Sequence, residues 1–126
     1  MFIPSNACRT LFLAALLGGP AQAATTYIWP SAAPCNGLLQ ACIDATANGD
    51  RIEVASATIN EDISVYDRDL TLVAAPGFEP VFGAGHWASV TSSAISGNRS
   101  VSVGGLSFRG GYFFASYGGT GTATLD

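Results

Sequence analysis

Few residues in this chain are of types that carry chemistry, and they fall into three groups. His86 is the sole histidine and stands beside Trp87 in Gly83-Ala84-Gly85-His86-Trp87. A histidine next to a tryptophan can help to hold a sugar ring, but a loop histidine without a partner is the plainer expectation. Glu61-Asp62 and Asp67-Arg68-Asp69 gather four carboxylates and one guanidinium in a short stretch. They could supply some of the roughly six to eight oxygens that calcium takes. Paired carboxylates also suit acid–base work, although that role depends on their separation. A solvated turn whose carboxylates pair with Arg68 is expected instead. The third group is Cys35 and Cys42. In one continuous helix their Cα atoms would lie about 10 Å apart, beyond the roughly 7 Å that a disulfide spans. A bridge therefore requires Cys35 to precede the helix and fold back. The alternative makes Cys42 a small buried apolar residue, and both readings stay open.

Other chemistries find no matching pattern. Two cysteines and one distant histidine do not fill a tetrahedral zinc shell. Serines are plentiful, yet no Gly-x-Ser-x-Gly elbow occurs. Gly118-Gly119-Thr120-Gly121 lacks the lysine and the strand–loop–helix setting of a phosphate loop, and reads as a turn. No catalytic residue, cofactor or metal site is assigned from the sequence.

The composition narrows the partners. Charged residues make up 11% of the 126, against roughly 25% in ordinary soluble domains. Lysine is absent, and beyond Arg9 four arginines face nine acidic residues. Such a body offers no basic patch to phosphate backbones, so nucleic acid is not an expected partner. The amino terminus has the form of a secretory signal peptide: Arg9, the apolar run from Leu11 to Leu17, Gly18-Gly19-Pro20, and an Ala21-Gln22-Ala23 cleavage site. The apolar run is far shorter than the roughly 20 residues that span a bilayer. Cys8 precedes it, so no lipoprotein anchor is indicated. Residues 1–23 are expected to be removed, leaving an exported chain from Ala24, with no transmembrane segment, in which disulfides are permitted.

The elements that must position these residues are mostly short strands. Residues 24–36 read as a strand, Thr25-Thr26-Tyr27-Ile28-Trp29, and a linker. The one convincing helix runs from about Gly37 to Ala47, with Asn36 placed to cap it and Leu38, Leu39, Cys42, Ile43 and Thr46 on one face. Asn48-Gly49 is the stop, and Arg51-Ile52-Glu53-Val54-Ala55 is a clear strand. Further strands are expected at 63–65, 70–74, 81–82, 90–91, 94–96, 101–103, 106–108 and 123–125. The tight two-residue turns of hairpins are missing between them. Arg68-Asp69-Leu70-Thr71-Leu72 can be laid on Arg99-Ser100-Val101-Ser102-Val103, and Thr122-Ala123-Thr124-Leu125 follows. In each, an aliphatic residue alternates with Thr or Ser, as a β-solenoid coil requires. Phe78, Phe82, Trp87, Phe108, Phe113 and Phe114 are expected in the interior or its loops.

The stretch Leu38-Leu39-Gln40-Ala41-Cys42-Ile43-Asp44-Ala45-Thr46-Ala47-Asn48-Gly49-Asp50-Arg51-Ile52-Glu53-Val54 resembles the amino-terminal cap of right-handed parallel β-helix proteins of the pectin lyase-like superfamily. Ala57 to Ile63, Asp69-Leu70-Thr71-Leu72-Val73 and Val101 to Gly111 are similar to segments of that family's following coils. The resemblance implies an all-β solenoid, a right-handed parallel β-helix fragment entered through one capping helix over residues 37–126 and incomplete at its carboxyl end. An antiparallel β-sandwich is the alternative fold. For function the resemblance is nearly silent, since that superfamily spans lyases, hydrolases, adhesins and structural modules; the expectation is an exported structural or surface-interaction module, contacting polysaccharide or another cell-surface component. The alternative is the amino-terminal part of a polysaccharide lyase or glycoside hydrolase. None of that family's catalytic clusters is matched here, so no site residue is carried over. The final address after export, whether secreted, periplasmic or cell-surface, is left open.

Overall fold

The computed structural model describes residues 23–93, 99–117 and 121–126. All but the last residue of the expected signal peptide, the expected strand at 94–96 and most of the 118–121 turn lie outside them. Eleven strands and one helix, α1 (Leu39–Ala45), are present among the described residues. The first sheet is β1 (Thr26–Trp29), β2 (Asp50–Val54), β5 (Leu70–Ala74), β8 (Arg99–Gly104) and β11 (Gly121–Leu125), side by side in that order. The second is β3 (Thr58–Ile59), β6 (Val81–Phe82) and β9 (Ser107–Phe108). The third is β4 (Ile63–Tyr66), β7 (Ala88–Ser92) and β10 (Phe113–Tyr117). Every pairing is parallel. The chain thus visits the three sheets in turn, three times over, and β11 opens a fourth coil. This is a parallel β-solenoid, and the antiparallel sandwich is excluded.

Alternation places the core. In β2 and β5 the aliphatic residues Ile52, Val54, Leu70 and Leu72 are buried, while the residues between them are half-exposed. Leu72 pairs with Ile52 on one side and Val103 on the other, so aliphatic side chains stack coil upon coil. The same register sets Leu70 against Val101. Ile59, Phe82 and Phe108 form a second column, with the two phenylalanine rings stacked at 4.6 Å. Ile63, Val65, Ala88 and Val90 line the third wall.

α1 closes the first coil, burying Leu39, Cys42 and Ile43. It is shorter than the expected 37–47, because Leu38 and Thr46 are both extended. Asn36 does not cap it. The cap position falls on Leu38, and the first-turn amides of Leu39 and Gln40 donate to the Glu61 carboxylate at 2.6 and 3.0 Å. A carboxylate from the next segment satisfies the orphan donors and complements the helix dipole. At the other end Arg68 donates to the carbonyls of Ile43 and Thr46. Gln40 presents its side-chain amide to β4, donating to the Ser64 carbonyl at 3.0 Å and accepting from the Ser64 amide at 2.7 Å. That amide stands in for a neighbouring strand, while β1 covers the edge of β2, so edges that would recruit other chains are occupied.

Cys35 and Cys42 are joined by a disulfide, with Cα atoms 4.5 Å apart. Cys35 lies in a turn before α1, closed by the Ser31 amide on the Cys35 carbonyl and the Cys35 amide on that of Ala32. Both residues are buried. The closed loop is short, so its removal of unfolded-state entropy is at the low end of the usual range. Replacing both cysteines with alanine is expected to lower unfolding free energy by about 2 kcal/mol, read as a shift in urea midpoint. An unchanged midpoint would show that the bridge does not constrain the cap.

Candidate functional site

The acidic cluster does not act as a solvated turn around Arg68. Arg68 holds the helix end, and the neighbouring carboxylates reach to adjacent coils. Asp67 accepts from the Ser93 amide at 2.6 Å and the Ser93 hydroxyl at 2.9 Å. Asp69 accepts from the Ser100 amide at 2.7 Å and lies 3.7 Å from Arg99. Asp62 accepts from the Trp87 amide at 3.0 Å, and the same oxygen lies 3.1 Å from His86 Nδ1. His86 therefore has a partner. These acids are inter-coil fasteners: each carboxylate satisfies an amide of the following coil, at a corner for Trp87 and Ser93 and near the start of β8 for Ser100. Among the described residues no three His, Cys, Asp or Glu side chains gather as metal ligands.

The concave feature with a distinctive lining lies on the outer face of the third sheet. Alternation along β7 sends Ser89 and Thr91 outward, in line with Trp87 just before the strand; Tyr112 and Phe114 do the same on the next coil. These five residues line a groove of about 370 Å³, within the usual range for a small-ligand site. Phe114 pairs with Ser89 across the ladder, and the Ser89 hydroxyl donates to that of Ser64 at 3.2 Å. Trp87 and Tyr112 stack, centroids 6.3 Å apart and planes within 9°. Tyr112 is 61% exposed and Phe114 50%.

Local backbone geometry makes the stack possible. A Cβ at residue 111 would overlap the carbonyl oxygen of His86, so only glycine lets the third coil approach the second at this corner. Asp62 fixes the Trp87 amide from the first coil. Two coils line the groove, and the first coil holds its rim through Asp62.

Of the aromatics expected in the interior or its loops, Phe82 is buried, and Phe108 and Phe113 pack half-buried against the core. Phe114 and Phe78 are exposed, and Trp87 stands at the groove rim. Tyr112 and Phe114 escape sequence inspection as a site because Phe113 between them is also aromatic. The signal that was present is the spacing of ring or hydroxyl at every second residue: Trp87, Ser89, Thr91 and Tyr112, Phe114, Ser116.

Chemically, the lining offers ring faces for the C–H face of a saturated ring and hydroxyls that both donate and accept. It contributes no carboxylate pair to flank a glycosidic bond and no arginine or lysine to act as a base. Comparison with protein-family models, with curated proteins and with solved structures gives no match. Among the described residues no helix is long and apolar enough to cross a membrane.

Proposed function

We propose that the protein is an exported structural or surface-interaction module that contacts polysaccharide through the groove of Trp87, Ser89, Thr91, Tyr112 and Phe114. The observation that carries this reading is the exposed Tyr112–Phe114 pair beside a hydroxyl-lined floor, since large exposed apolar side chains on a polar face mark interaction surfaces. Export is supported by the signal-peptide pattern at the amino terminus. We also read the chain as related to the right-handed β-helices of the pectin lyase-like superfamily. In support, the quoted motif stretches fall on α1, β2, β5 and β8–β9, where that family's cap and first coils would have them.

The test is binding to a panel of immobilised polysaccharides. The protein is expected to bind at least one of them, and Tyr112→Ala to weaken that binding about tenfold, which is ~1.4 kcal/mol and of the order of one aromatic contact. Tyr112 is largely exposed, so its removal leaves the core intact. Silence on every sugar would remove the contact function and leave a scaffold.

A further inference from the structure

We infer that the groove takes a neutral glycan and rejects acidic ones. This rests on the polysaccharide-contact reading and adds the charge class of the ligand. A uronate or sulfated sugar brings anionic groups that must be desolvated on binding, at large cost unless a cation or several donors receive them. The lining of Trp87, Ser89, Thr91, Tyr112 and Phe114 holds no cation. The chain has no lysine, and three of its arginines are committed elsewhere. Arg51 bonds Glu53, Arg68 holds the end of α1, and Arg99 faces Asp69. Arg109, at the corner between β9 and β10, is outside the lining.

The ionised group that holds the Trp87 amide carries the opposite sign. Asp62 lies 3.0 Å from the Trp87 amide and is partly exposed, so its field reaches the rim. The chain as a whole carries a net charge of −4, which repels polyanions at a distance. What the groove offers is aromatic faces and neutral hydroxyls, the complement of an uncharged sugar ring with hydroxyls at its edge. The occupant that fits is therefore an oligosaccharide of neutral pyranoses.

The experiment compares soluble neutral oligosaccharides, of gluco and xylo type, with oligogalacturonate and oligoalginate of equal length by calorimetry, at low and at moderate salt. Neutral chains are expected to bind at least tenfold more tightly at low salt, where repulsion is least screened, and their affinity to be insensitive to salt. Tyr112→Ala and Phe114→Ala should each weaken neutral binding. Thr91→Lys should raise affinity for the acidic chains, by placing a cation on the floor. Acidic chains that bind as well as neutral ones, with the same loss in Tyr112→Ala, would overturn the charge assignment and leave the polysaccharide reading standing. Binding of neither class overturns both. So does a self-associated species in sedimentation that Tyr112→Ala dissolves, because the groove would then be the seat of a second copy.

Discussion

Phe82→Ala is expected to lower the unfolding free energy by about 4 kcal/mol, in the range of buried phenylalanine truncations. Phe82 is fully buried and stacks on Phe108 with planes 4° apart. Its position makes the loss hard to absorb. The sheet of β3, β6 and β9 has two residues per strand, so few ladder hydrogen bonds hold this corner of the solenoid. The column Ile59–Phe82–Phe108 holds it by side-chain contact instead. Removing the middle ring leaves a cavity between coils and forfeits the stacking contribution of about 0.5–1.5 kcal/mol beyond area burial. Phe82→Leu, which keeps most of the volume, should cost less than about 1.5 kcal/mol. The measurement is equilibrium urea unfolding of both variants. A loss below ~1 kcal/mol for alanine would show that the corner is held by something other than this column.

The solenoid was legible where side-chain polarity alternates. Leu70-Thr71-Leu72 lies on Val101-Ser102-Val103 in the observed register, and Ala123 and Leu125 pair with Val101 and Val103 in turn. Each of these strands shows one aliphatic and one hydroxyl face, which a period of two reveals directly. β10 did not stand out, because Tyr112-Phe113-Phe114-Ala115 is apolar on both faces and no alternation marks it. The groove was hidden for the same reason: its outward rings sit among inward ones. The cap shows a different limit. The amphipathic stripe Leu39, Cys42, Ile43 identified the helix, yet its termini are held by Glu61 and Arg68 from later segments. Local capping rules favour Asn36, because sequence proximity is all they can weigh. The coil brings the Glu61 carboxylate onto the first-turn amides of Leu39 and Gln40.

The carboxylates teach the same point about chemistry. A dense acidic stretch suggests metal or catalysis, but a solenoid corner has its own demand for acceptors. Wherever the chain leaves one sheet for the next, some amides drop out of the ladder, and a neighbouring coil must supply an oxygen. Asp62 and Asp67 do this at Trp87 and Ser93, and Asp69 serves the Ser100 amide near the start of β8. Asn48 does it at Asp69 with an uncharged amide oxygen, at 3.1 Å. Side chains committed to backbone amides of the next coil are positioned for architecture, and the chemistry of the surface falls to aromatic rings and hydroxyls.

Asp50 is the most demanding of these fasteners. It is 4% exposed, and its two oxygens accept from different amides: Oδ1 from Thr25 at 2.8 Å and Oδ2 from Ala47 at 2.7 Å. One bond ties β1 to the first coil; the other closes the passage from α1 into β2, where Gly49 adopts a φ of 89°. Asp50→Ala removes two charge-assisted bonds and leaves two amides without their acceptor, for an expected loss of about 3 kcal/mol. Asp50→Asn keeps one acceptor oxygen and is expected to lose about half as much. Hydrogen exchange distinguishes this mechanism from general destabilisation: the Thr25 and Ala47 amides should lose protection first, while the amide of Leu72, deep in the first sheet, keeps its own until global unfolding. Once β1 is loosened, the edge of β2 is bared to other chains, so Asp50→Ala should also precipitate at concentrations where the parent stays in solution. If Thr25 and Leu72 instead lose protection together, β1 is not a detachable edge and the first coil unfolds with the rest as one unit.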